Sequence, residues 1–181
     1  MTRKQLIAQV ALHLFAEKGV EHTPTQLIAK EAEVSEALIF KHFGSKELLL
    51  DYVIRTGYKR VIEQNRGRLL ENSPLELIHR IIELPLVLVR EEAAFWKLQT
   101  RLGDVEVART QHERFMQPLP GLLEVAFRQL GYAQPAQEAR LLMLLVDALW
   151  KNLATNGTNE LPELLEFIKS KYGSQVASKA F

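Results

Sequence analysis

Residues 35–47, Ser-Glu-Ala-Leu-Ile-Phe-Lys-His-Phe-Gly-Ser-Lys-Glu, confine a helix of about two turns between a start signal and a stop signal. Ser35 can accept from the free amides two or three residues on. Val34 and Ile39 occupy the N′ and N4 positions of a hydrophobic staple. Gly44 can adopt the left-handed conformation that ends the helix, and Ser45 then caps a new one at once. A helix this short is unstable alone in water, so the rest of the domain must hold it. Leu38, Ile39 and Phe43 can face inward. Glu36, Ala37, Phe40, Lys41 and His42 then look outward, a face suited to the major groove of duplex DNA.

The preceding residues predict the partners of that helix. Thr23 as N-cap, Pro24 at N1 and Gln26 at N3 start a helix whose inner stripe is Leu27, Ile28 and Ala32. A tight turn through Glu33 and Val34 leads into Ser35, which makes a helix-turn-helix. Residues 2–18 predict a further helix, with Leu6, Ile7, Val10, Ala11, Leu14 and Phe15 at i, i+3, i+4 spacing. Thr2 and Gln5 form its capping box, and Gly19 stops it. Thr25, Gln26 and Ser35 are the hydroxyls and amide placed to meet phosphates, while Ala37, Leu38, Lys41 and His42 stand near base edges or backbone.

Several spaced elements agree in order and spacing with a known family. Leu-Phe-Ala-Glu-Lys-Gly at 14–19, Ile-Ala at 28–29, Val-Ser at 34–35 and His-Phe-Gly-Ser-Lys-Glu at 42–47 resemble the N-terminal domain of TetR transcriptional regulators. The resemblance covers about residues 3–55. It implies Thr23 and Lys46 as phosphate contacts and a C-terminal domain that binds a small inducer. Glu33 stands where the family has Gly, Glu36 where it has a basic or small residue, and Phe40 where it has Tyr.

Charge constrains the DNA reading. The whole chain carries a formal net charge of +1. Across residues 1–47, Arg3, Lys4, Lys18, Lys30, Lys41 and Lys46 are balanced by Glu17, Glu21, Glu31, Glu33, Glu36 and Glu47. Affinity for DNA must then come from placement: helix N-termini, hydroxyls and amides at phosphates, with few cations. The chain has no cysteine, which excludes disulfides, thiol catalysis and cysteine-based zinc sites. No signal-peptide pattern precedes the first helix, and the longest apolar run, 141–146, is too short for a bilayer, so a cytoplasmic protein without a membrane partner is expected.

The rest of the chain reads as helices at about 46–68, 74–90, 91–101, 104–130 with Pro118 and Pro120 bending or interrupting it, 135–154 and 162–172. No stretch shows period-two alternation, so the fold class is all-α. A helix-turn-helix domain of residues 1–50 precedes a ligand-binding and dimerisation domain of 51–181, whose tail from 173 is expected to be disordered. Glu76 and His79 have the Glu-x-x-His spacing of di-iron bundles, but the second copy such a site needs is missing, and no metal or cofactor is expected. No catalytic motif is present, so no enzymatic activity is expected. Phe95, Trp96, Phe115, Met116 and Met143, with Gln99 and His112 as hydrogen-bonding groups, suit either core packing or the lining of an apolar effector site. Together these readings describe a homodimeric, ligand-responsive regulator on a two-fold symmetric operator, dimerised through its last two helices. The alternative is a helical interaction protein whose helix-turn-helix no longer binds DNA.

Overall fold

A computed structural model describes residues 1–67, 73–103, 105–156 and 161–177, and all the regular structure among them is helical. The helices are α1 (Arg3–Lys18), α2 (Thr25–Glu31), α3 (Glu36–Phe43), α4 (Lys46–Asn65), α5 (Pro74–Glu91), α6 (Ala93–Leu102), α7 (Glu106–Met116), α8 (Leu119–Gln129), α9 (Pro135–Asn156) and α10 (Leu161–Ala177). The chain forms two compact units: Met1–Val61 with Glu92–Glu113, and Ile62–Glu91 with Arg114–Phe181. The unit around the helix-turn-helix thus takes in α6 and most of α7 as well as residues 1–50.

Local signals set most helix ends in the first unit. Thr2 and Gln5 form the expected capping box, the Gln5 amide donating to Thr2 Oγ1 at 3.2 Å and the Thr2 amide to Gln5 Oε1 at 2.8 Å. Gly19, at φ 85°, closes α1 by donating to the Phe15 carbonyl at 2.9 Å. Ser35 Oγ accepts from the Leu38 amide at 3.3 Å, and Ser45 Oγ accepts from the Leu48 amide at 3.2 Å. The start of α2 differs from the sequence reading. Its N-cap is Pro24, with no side-chain cap, because Thr23 turns inward, fully buried, and donates to the Gly19 carbonyl at 2.7 Å.

The buried face of α1 also differs. Ile7, Ala8, Ala11, Leu12, Phe15 and Ala16 form it, while Leu6, Val10 and Leu14 are only half-buried. The cause is that α1 packs on α6 as well as on α2 and α3, so its buried arc is displaced from the stripe that α2 and α3 alone would need. An ion pair and a hydrogen bond fasten α6 there: Lys97 Nζ lies 2.8 Å from Glu17 Oε1, and Arg101 donates to the Glu17 backbone carbonyl at 3.2 Å. Along α4, Leu49, Leu50, Val53, Ile54, Tyr58 and Val61 are buried, whereas Leu48 and Ile62 are exposed.

In the second unit α8 packs on α9, and α5 packs on α8, α9 and α10. Helix α5 runs through Pro85 without a break and buries it. The helix expected over 104–130 is interrupted at its prolines, giving α7 and α8, because Pro118 becomes the N-cap of α8 and Pro120 lies in its first turn, where a missing amide costs nothing. Helix α10 continues past Tyr172 to Ala177, so residues 173–177 are helical rather than a loose tail; residues 178–181 lie outside the described residues, as do Asn72, Asp104 and 157–160. Lys169 joins α10 to α5, its ammonium 2.6 Å from Glu83 and 2.5 Å from Glu166, and both carboxylates raise its pKa.

Candidate nucleic-acid interface and effector cluster

Helix α3 is anchored by Ile39 and Phe43, both buried, and these two side chains fix which face is left to solvent. Ala37, Phe40 and Lys41 are exposed, with Glu36, Leu38 and His42 half-buried beside them. Phe43 packs edge-on to Tyr52 at 5.3 Å, and the Lys4 ammonium lies 4.5 Å from the Tyr52 ring and 5.3 Å from that of Phe43. Aromatic and cationic contacts thus hold the C-terminal end of the short helix, where its own hydrogen bonds are fewest.

The residues expected at phosphates fall into two groups. Gln26 and Ser35 are exposed around the N-termini of α2 and α3. Lys46 is half-buried and donates from Nζ to the Val20 carbonyl at 3.0 Å, which uses one of its three donors. Thr23 and Thr25 are buried instead: the Thr23 hydroxyl donates to Gly19, and the Thr25 hydroxyl donates to Glu36 Oε1. Both hydroxyls answer the polar groups of their own domain first. The turn between α2 and α3 places Glu33 at φ 53°, the left-handed region, as the non-glycine residue with positive φ among the described residues.

The candidate effector residues also divide. Phe95, Trp96, Gln99 and His112 gather in the first unit, whereas Phe115, Met116 and Met143 belong to the second. Sequence reasoning missed the residue that organises the first group, Tyr58 of α4. Its hydroxyl lies 3.2 Å from Gln99 Oε1 and 3.1 Å from His112 Nδ1. Its ring packs edge-on to Phe95 at 5.1 Å and to Trp96 at 5.8 Å. Gly57, next to it, leaves room for Phe95, since a Cβ there would collide with that ring. Burial pushes the Tyr58 phenol well above its ordinary pKa, so it stays protonated and available as a donor. Gln99 Nε2 is buried with no hydrogen-bond partner among the described residues, at a cost of about 1–3 kcal/mol. The period of α4 marks Tyr58 as inward-facing; its polar partners, 41 and 54 residues away, leave no local trace.

Glu76 and His79 line a groove of about 460 Å³ on α5, with Arg80, Glu83, Leu84, Val87 and Lys169. No group of three or more metal-ligating acids, histidines or cysteines occurs among the described residues, and no described helix is long and apolar enough to cross a membrane.

Residues 7–53 match the family described as bacterial regulatory proteins, tetR family. Nucleoid occlusion factor SlmA of Haemophilus influenzae (strain PittGG) is 30% identical over 103 residues, 54% of this chain and 46% of that protein. The chain thus spans less than half the length of that curated relative. HTH-type transcriptional regulator BetI 1 of Chromohalobacter salexigens is 27% identical over 158 residues, 82% of this chain and 76% of that protein. Among solved structures, AibR in complex with isovaleryl coenzyme A and operator DNA is similar in fold, with a TM-score of 0.69 at 20% identity over 94% of this chain and 97% of that one.

Proposed function

Because the chain belongs to the TetR family of bacterial regulatory proteins, we propose that it is a ligand-responsive, DNA-binding transcriptional regulator that acts as a repressor. The observation that carries this is the exposed face of α3, with Ala37, Phe40 and Lys41 outermost and a capped N-terminus beside exposed Ser35 and Gln26. Such a face offers little to a protein core and fits a major groove. With no excess of basic residues in residues 1–47, helix N-terminal amides and a small number of cations supply the phosphate contacts. A homodimer places two such faces on half-sites one helical turn apart. The exposed apolar side chains of α9 and α10, Leu144 and Phe167 foremost, support a second copy as the partner.

The effector belongs in the cluster of Tyr58, Phe95, Trp96, Gln99 and His112. It is largely apolar and carries one hydrogen-bond acceptor for the buried Gln99 amide. A neighbour in fold is named for its complex with isovaleryl coenzyme A and operator DNA, which supports effector and operator as the two ligands. The test is selection of bound fragments from a random DNA pool, then a salt titration of the best fragment. Affinity should fall as salt rises, with a slope that counts the phosphates contacted. Failure to enrich any sequence at low salt would leave a helix-turn-helix that serves protein contacts instead.

A further inference from the structure

Glu36 is an acidic side chain in the first turn of the helix proposed to meet DNA. A carboxylate there repels phosphates, yet its position is fixed: the Thr25 hydroxyl, itself buried, donates to Glu36 Oε1. Phe40 lies four residues on, so the two side chains are neighbours on one helical face. Its ring is 45% exposed and carries no hydrogen-bonding group.

The major groove has few partners for either chemistry. A carboxylate can only accept, and the groove's donors are the exocyclic amines of cytosine and adenine. At adenine the N7 acceptor stands beside that amine and repels an anion. On cytosine no acceptor of the same base faces the groove. An aromatic ring finds one apolar group there, the 5-methyl of thymine. Four residues of helix advance about 6 Å, and base pairs repeat every ~3.4 Å, so the two side chains reach positions within two base steps.

We infer that Glu36 and Phe40 act together as a pyrimidine reader, Glu36 accepting from cytosine N4 and Phe40 packing on a thymine methyl within two steps of it. This rests on the DNA-binding reading above and adds the bases that each half-site must contain. Glu36 is then a specificity residue, held in register by Thr25.

The test sequences DNA selected from a random pool by the full-length wild type and by Glu36→Ala, Glu36→Gln and Phe40→Ala, each checked for unchanged helix content by circular dichroism. The wild type should enrich half-sites with a cytosine and a nearby thymine. Glu36→Ala should lose the cytosine preference by about tenfold, and Glu36→Gln should move it to adenine, whose N6 and N7 suit a carboxamide. Deoxyuridine in place of the thymine should weaken the wild type by about threefold to fivefold and leave Phe40→Ala indifferent. Base preferences that survive all three substitutions overturn the proposal. So does Glu36→Ala binding every sequence more tightly by one common factor, since the carboxylate would then only repel. Wild type that enriches no sequence removes the regulator reading itself, whereas enrichment lacking cytosine and thymine removes only the pyrimidine reader.

Discussion

At the scale of single residues, backbone conformation and space decide more than side-chain chemistry. Glu33 holds a left-handed φ of 53° in the turn that sets α3 against α2. An L-residue with a Cβ is penalised there by about 1–2 kcal/mol, and glycine recovers most of that despite its larger loss of chain entropy. Glu33→Gly should therefore stabilise the protein by roughly 1 kcal/mol, raising Tm by about 2–4 °C in a thermal melt. Gly57 shows the opposite sign. Helix propensity alone would make Gly57→Ala favourable by about 1 kcal/mol. The collision with the Phe95 ring opposes this, and overpacking of about 1–3 kcal/mol wins. A lower denaturant midpoint should report it. Lys41, exposed on α3, makes no such contribution to folding. Lys41→Ala should leave the melt unchanged and weaken operator binding by about 1–3 kcal/mol, measured by fluorescence anisotropy at moderate salt.

At the scale of elements, α6 is the piece that, on the proposed reading, links the effector cluster to α1 of the helix-turn-helix unit. Its inner face carries Phe95, Trp96 and Gln99, and it packs on α1. Lys97 and Arg101 tie it to Glu17 near the end of α1, while Arg60 of α4 grips Glu92 at its N-terminus through two bonds of 2.5 and 2.9 Å. Helix α4, which carries Tyr58, is one route between the cluster and the helix-turn-helix; the contacts give α6 a more direct hold on α1. A ligand that displaces Gln99 from Tyr58 would move α6, and α1 with it. Replacing both Lys97 and Arg101 by Ala should leave operator affinity in the absence of effector nearly unchanged but reduce the factor by which effector weakens it. Calorimetry of operator binding with and without effector measures that factor, which is typically 5–150-fold in coupled systems. An undiminished factor would return the role to α4.

At the scale of the whole molecule, the exposed apolar residues of the second unit are where the proposed dimer is put to the test. Leu141 and Leu144 on α9, and Leu164 and Phe167 on α10, are between 44% and 62% exposed. Leu165, by contrast, is 3% exposed and belongs to the unit's own core, so a charge placed there would unfold the chain rather than test association. Leu144→Glu with Phe167→Glu should give a folded monomer. Light scattering should report twice the 20.7 kDa chain mass for the wild type and the single mass for the variant. Wild type at the single mass would contradict the dimer.

Much of this was legible from the sequence because the signals are local. Capping boxes, stop glycines and paired prolines act within three or four residues, so α1, α3, the start of α4 and the all-α class followed from residue order alone. The outermost residues of α3, Ala37, Phe40 and Lys41, followed too, since Ile39 and Phe43 have no other place to go, whereas Glu36 and His42, read as outward, are half-buried. Tertiary structure decided the rest. It turned Thr23 inward to Gly19 and rotated the buried arc of α1 to meet α6. It also brought Tyr58 to Gln99 and His112 across separations of 41 and 54 residues. The physical reason is the same throughout: local periodicity shows that a side chain is buried, whereas its partner is chosen by packing between helices distant in sequence.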